Sequence, residues 1–172
     1  MIYQYEQILW SDADMVVCPT RCDEEIIEGS LHEKMVCLLP PGYMKKHFDA
    51  ITGSGGTLVP GTPIVYYVRD DDWQGRWVVD FPVWKGMTYQ QYRMGVLEIL
   101  RIANQMNPDA VAVPHPMPGV RFSEDLQEEC WRMGESLVLA GSECQVQLFT
   151  EEEEVLVLDE DTQVGEVAGC LL

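Results

Sequence analysis

Apolar and polar positions along this chain follow two rhythms, one of period two and one near 3.6, and they change over at prolines and glycines. Residues 2–9, IYQYEQIL, alternate well enough for a strand, and residues 15–17, MVV, make a second, shorter one. Asp23 offers an N-cap to a helix through EEIIEGSLHEKMVCLL, with acids in its first turn and Gly29 weakening its middle. On this reading His32 and His47 sit on helix surfaces. Pro40, Pro41 and Gly42 break that helix, a further helical turn or two runs through YMKKHFDAI, and TGSGG at 52–56 is a flexible stretch.

Residues 63–68, PIVYYV, are rich in β-branched and aromatic side chains, and the turn RDDDWQG joins them to a partner strand at 76–81, RWVVDF. The clearest helix is 88–105, where Tyr89, Tyr92, Val96, Ile99, Leu100 and Ala103 form one apolar stripe. Pro108 and Asp109 end it, and AVAV at 110–113 is an unbroken apolar run suited to a strand buried on both faces. Ser123 can cap another helix, with Leu126, Cys130, Met133 and Leu137 inward and Gly141 as its stop. Cys144, Val146 and Leu148 then alternate with glutamines as a half-exposed strand. Strands alternating with helices predict an α/β fold, a three-layer α/β/α sandwich around a central mixed sheet. No internal repeat or second composition marks another domain, so residues 1–150 are expected to form one α/β domain. Residues 151–172 are expected to be an acidic extension, with VLVL at 155–158 as one edge strand before the chain frays.

Composition narrows the function classes. The 172 residues are 47% hydrophobic and 23% charged, which is enough apolar material for a real core. No run reaches the roughly 18 apolar residues of a membrane helix. The first residues show neither a basic leader nor a small-residue cleavage pattern, so no secretion signal, no membrane partner and a cytoplasmic location are expected. Eleven Lys and Arg against 29 Asp and Glu give a formal charge of −18, which argues against direct binding to a nucleic-acid backbone. Eight of those acids and no Lys or Arg fall in 151–172, so −10 remains on residues 1–150. Such a surface is a solubilising one, or one that mimics DNA or docks a basic protein partner.

Cys18 and Cys22 flank the stretch Pro19-Thr20-Arg21, and His32 and Cys37 follow. A zinc site would show paired short spacings, and a redox pair would show two intervening residues at a helix start; neither is present, and no metal or cofactor is expected. Cys18 or Cys22 could act as a nucleophile with His115 as base, but no oxyanion signature accompanies them.

Several local phrases, in order, resemble the macro domain family. DADMVVCPTRC at 12–22 is similar to the family's opening acidic turn and buried strand. LVPGTPIVYYV at 58–68 resembles its Pro-Gly-led strand, and RWVVDFPVWK at 76–85 resembles the subgroup that removes ADP-ribose from nucleic acid or glutamate. DAVAVPHPMPG at 109–119 falls where the family has a buried strand and a glycine-rich phosphate loop. The resemblance covers roughly residues 2–149 and implies a cleft at the strand carboxyl ends that takes ADP-ribose or another nucleotide.

It also shows where this chain departs from the pattern. The adenine-reading acid of relatives falls near Gln7, and their two asparagines fall on Cys18 and Arg21. A thiol is a poor substitute for an amide, and Arg offers donors only. Pro114, Pro116 and Pro118 each lack the backbone N–H that a phosphate loop needs. Lys85 lies within one residue of the subgroup's catalytic lysine. Trp84 could stack on a base, and Arg21, Lys85 and Arg121 would supply the cleft's positive charge, with His115 and Gly119 in its loop. The expectation is a binding protein without catalysis, its ligand-binding residues being Gln7, Cys18, Arg21, Trp84, His115, Gly119 and Arg121. Two alternatives stay open: an ADP-ribosyl hydrolase with altered catalytic residues, and an acidic interaction or inhibitor protein, for example a virus-encoded one.

Overall fold

The computed structural model describes residues 2–4, 7–8, 11–23, 25–70, 73–83, 86–115, 117, 123–126, 128–129, 132–133 and 144–150. Six strands form one mixed sheet: β1 (Ile2–Gln4), β2 (Met15–Arg21), β3 (Ile64–Asp70), β4 (Trp73–Val83), β5 (Ala110–Pro114) and β6 (Gln145–Thr150). Their order across the sheet is β1-β6-β5-β2-β4-β3. All neighbours are parallel except β3 and β4, which pair antiparallel. The helices are α1 (Leu31–Leu38), α2 (Pro41–Gly53) and α3 (Tyr89–Met106).

Strand periodicity divides the core into two halves. Met15, Val17, Val79, Phe81, Val111, Val113, Val146 and Leu148 pack against Tyr92, Val96, Ile99 and Ala103 of α3. The alternate residues Val16, Cys18, Val78, Ala112 and Phe149 belong to a second cluster with Met35 of α1 and Tyr43 of α2. The sheet is therefore covered on both faces, which is the expected α/β/α sandwich. This also explains why β2 and β5 read as unbroken apolar runs rather than alternating ones.

Three expectations are corrected. Of the strand expected over 2–9, Ile2–Gln4 is strand, whereas residues 7–8 lie in a 3₁₀ turn. The first helix begins not at Asp23 but after Ser30, whose side chain accepts from the Glu33 N–H. Asp23 is occupied elsewhere: its carboxylate binds Arg21 and closes an Asx turn on the Glu25 N–H, and Gly29 adopts φ +76°, outside the helical region. His32 and His47 are not on helix surfaces but are 4% and 1% exposed.

The expected helix at 88–105 is α3, with Thr88 and Gln91 forming a reciprocal capping box. Residues 124–126, 128–129 and 132–133 are helical, as expected after Ser123, and Met133 packs against the α3 half of the core. Cys130, Leu137, Gly141 and the whole of 151–172 lie outside the described residues. Among the described residues no helix is long and apolar enough to cross a membrane.

Candidate functional site

In open α/β sheets a crevice forms beyond the carboxyl ends of the strands, where two neighbouring strands send their chains in opposite directions. Here that place lies between β2 and β5. β2 leads through α1 and α2 to β3 at one edge of the sheet, whereas β5 leads to β6 on its other side. The pairing agrees with that place. β2 follows β4 along its whole length, Met15 to Arg21, but pairs with β5 only at Met15 and Val16. Pro19, in the middle of a central strand, has no N–H to extend a ladder.

The rim is built from the ends of β2, β4 and β5. Arg21 directs Nε and Nη2 to the two carboxylate oxygens of Asp23 at 2.9 and 2.8 Å, and Glu25 lies 3.4 Å from the guanidinium. The guanidinium holds the Asp23 carboxyl below its ordinary range. The pair is partly exposed and adds little stability. Its effect on function is larger, because two carboxylates already surround the cation expected to meet a phosphate. Cys22 is buried against the Val83 carbonyl, and the Leu58 N–H bonds the Cys22 carbonyl, tying the chain after α2 to this rim. Burial, then the Asp23 charge, raises the Cys22 thiol pKa. Thr20 Oγ1, at the same end of β2, is buried without a hydrogen-bond partner.

The loop after β5 is anchored from below. His115 is fully buried, its N–H donates to the Phe149 carbonyl, and its Nδ1 lies 3.2 Å from Tyr92 Oη of α3. The Met117 N–H donates to the same hydroxyl at 3.1 Å. Pro114, Pro116 and Pro118 have no N–H to offer. Over 114–118, every backbone donor is therefore either absent or already committed. Tyr92→Phe removes the acceptor of a buried N–H, so a loss of ~2 kcal/mol is expected. Hydrogen exchange at the Met117 amide should accelerate beyond that of the β5 amides, and equal protection would contradict the anchoring role.

The structure brings only part of the expected site together. Arg21 is on the rim and Gln7 is exposed in the turn after β1. His115 stands under the loop rather than in the crevice. Cys18 is fully buried on the α1/α2 side of β2, while His115 packs with Tyr92 on the α3 side, so the two are not a nucleophile and its base. Burial and then the Asp80 charge push the Cys18 thiol pKa far up, which leaves it an inert thiol. Trp84, Lys85, Gly119 and Arg121 lie outside the described residues.

A polar cluster under α1 and α2 escaped the sequence reading. Asp80, fully buried in β4, accepts from Tyr43 Oη at 2.6 Å on one oxygen and lies 2.7 Å from His47 Nδ1 on the other. His32 Nε2 is 3.2 Å and Cys18 Sγ 3.7 Å from the Tyr43 hydroxyl. Burial raises the phenol pKa of Tyr43 and Tyr66, reinforced at Tyr43 by Cys18 and Asp80 and at Tyr66 by Asp80. Tyr66 Oη makes no hydrogen bond. Two signals were present in the sequence: an acid inside the apolar run RWVVDF, and the helical spacing of Tyr43, His47 and Ile51. Among the described residues no group of three or more His, Cys, Asp or Glu is placed to hold a metal ion.

No protein-family profile matches the chain, and no curated protein sequence matches it. Solved structures do. The macrodomain of Mycobacterium tuberculosis DarG is 15% identical, with a TM-score of 0.70 over 87% of this chain and 97% of that one. An Oceanobacillus iheyensis macrodomain variant with ADPR is 10% identical, with a TM-score of 0.65 over 89% of this chain and 84% of that one. The Trypanosoma brucei macrodomain in complex with ADP-ribose is 11% identical, with a TM-score of 0.61 over 89% of this chain and 64% of that one. Identities this low speak for shape alone, and the shape agrees with the resemblance found in the local phrases. The chain has the macrodomain fold.

Proposed function

We propose that this chain is a non-catalytic binding protein whose crevice takes a nucleotide-type ligand without the usual backbone cradle for a diphosphate. The observation that carries this reading is the state of the loop after β5. His115 and Met117 spend their N–H groups on Phe149 and Tyr92, and the prolines at 114, 116 and 118 have none. An anion site needs several converging N–H groups, and the next backbone donors in the chain belong to Gly119 and beyond. The paired state of Arg21 and the −18 charge act in the same direction. The two neighbours solved with ADPR and ADP-ribose support a nucleotide as the ligand class. Gln7, Trp84, Gly119 and Arg121 would face it, with Arg21 on the rim and Cys18 and His115 acting from beneath. A ligand atom or water would also satisfy the orphaned hydroxyl of Thr20.

The absence of catalysis is tested by incubating the protein with a mono-ADP-ribosylated oligonucleotide and a glutamate-linked ADP-ribosyl peptide. No ADP-ribose should be released above the protein-free blank. Release that disappears in Lys85→Ala would make the chain a hydrolase.

A second reading rests on charge. Acids outnumber Lys and Arg by 18, and among the described residues Arg21, Lys45, Arg101 and Arg132 each pair with a carboxylate of the same chain. A basic protein partner would then bind with strong salt dependence, losing ~10-fold or more between low and physiological salt. Affinity for a basic protein such as a histone that does not change with salt would remove this reading.

A further inference from the structure

Two imidazoles share one carboxylate under α1 and α2. The titratable groups facing each other there are Cys18 from β2, Tyr66 from β3, Asp80 from β4, His32 from α1, and Tyr43 and His47 from α2. Both Asp80 oxygens are taken, one by the Tyr43 hydroxyl and one by His47 Nδ1. Tyr43 has a single proton and gives it to Asp80 at 2.6 Å, so the 3.2 Å contact with His32 must be a donation from His32 Nε2–H. His32 Nδ1 is then a bare acceptor, buried and without a partner. A proton arriving there would create a buried cation with no free acceptor to meet it, beside a second imidazole whose ring centre is 5.0 Å away.

The chain between β2 and β3 is a single excursion from the sheet. Its ends are tied by the Leu58 N–H to Cys22 carbonyl bond, and its middle is held on the sheet by this cluster and the apolar contacts around it. We propose that the cluster is an acid-sensitive latch: proton uptake at His32 releases α1 and α2, with residues 25–30 that lead into them, before the α3 half of the fold opens. The latch does not depend on what the crevice binds.

The direction follows from linkage. Burial, and then the charge on His47, lower the His32 pKa from 6.5 to about 4. The released form takes up its proton below 6.5, while the latched form resists until about 4. The latch is therefore fully engaged above the upper value, weakens as pH falls through that window, and loses nothing further below it. With these two values the opening equilibrium rises about 20-fold at about pH 5 relative to neutral pH.

Native-state hydrogen exchange, corrected for the intrinsic rate at each pH, tests this on the full chain. Protection in residues 31–53 should fall about 20-fold between about pH 7 and about pH 5 while protection in 89–106 is unchanged. His32→Gln, which keeps a donor for Tyr43 without a titrating ring, should flatten that response. In the wild type the His32 ring protons, from one of only three histidines, should report the same release by NMR. Loss of protection in 31–53 and 89–106 together, constant protection in 31–53, or an undiminished response in His32→Gln would each overturn the proposal. So would a His32 ring that titrates in the ordinary histidine range while the helices stay protected.

Discussion

Asp80→Ala is expected to remove about 4 kcal/mol of stability, a large part of what a domain of this size possesses. The carboxylate is fully buried and is the acceptor for both Tyr43 Oη and His47 Nδ1. Truncating it strands two donors where water cannot reach them and opens a small void between β4 and the helices. Tyr43→Phe is expected to cost less, about 2 kcal/mol, because it strands one donor, His32 Nε2–H, and leaves the carboxylate with His47. The order of the two losses matters more than their size. Urea unfolding of the three proteins measures it, and an Asp80→Ala loss below that of Tyr43→Phe would show that the carboxylate does not organise the cluster.

Gly95→Val should cost about 3 kcal/mol, near the upper end of what overpacking a core exacts. Gly95 lies on the buried face of α3. A Cβ there would run into the backbone carbonyl of Gly61 and come within 2.7 Å of the Phe81 ring. Neither can retreat cheaply. Gly61 sits at φ +73° against the Gln91 carbonyl, with its N–H on the Pro82 carbonyl, and Phe81 is fully buried on Tyr92. α3 would have to lift from the sheet, and the Tyr92 anchor of the loop after β5 would lift with it. Weaker protection of the Met117 amide should therefore accompany the lost stability. Gly42→Ala is the control: its Cβ would meet nothing within 4 Å, so no loss is expected. Thermal unfolding that treats the two substitutions alike would contradict the close approach of α3.

What could be read from sequence and what could not separate along one line. Elements whose burial pattern is contained in their own residues were legible: the stripe of α3, the apolar runs of β4 and β5, and the alternation of β6. The start of α1 was misplaced because Asp23 is as good a local cap as Ser30, and only its capture by Arg21 decides between them. The Asp80 cluster was missed because its partners stand 37 and 33 positions away, at Tyr43 and His47. A histidine on a short helix reads as solvated until an acid is found beneath it.

The crevice divides in the same way. That three prolines remove donors from 114–118 is a property of residue type and could be read directly. That His115 and Met117 have also committed theirs depends on Phe149 and Tyr92, which local spacing does not reveal. The stretch Cys18-Pro19-Thr20-Arg21-Cys22 changes meaning most. Its cysteines are packing residues, and Arg21 is held by Asp23 and Glu25. Pro19 stands where the ladder between β2 and β5 has already stopped, so the residue that lacks a donor marks the opening of the crevice.

The most direct test of a macrodomain crevice without a diphosphate cradle is a pair of calorimetric titrations, ADP-ribose against adenosine, on the full chain. Stripped of backbone donors over 114–118, the crevice should gain almost nothing from the phosphates. ADP-ribose should bind within about 3-fold of adenosine, or both should be silent up to about millimolar ligand. Micromolar binding of ADP-ribose, about 100-fold or more tighter than adenosine and abolished by Arg21→Ala, would contradict the account.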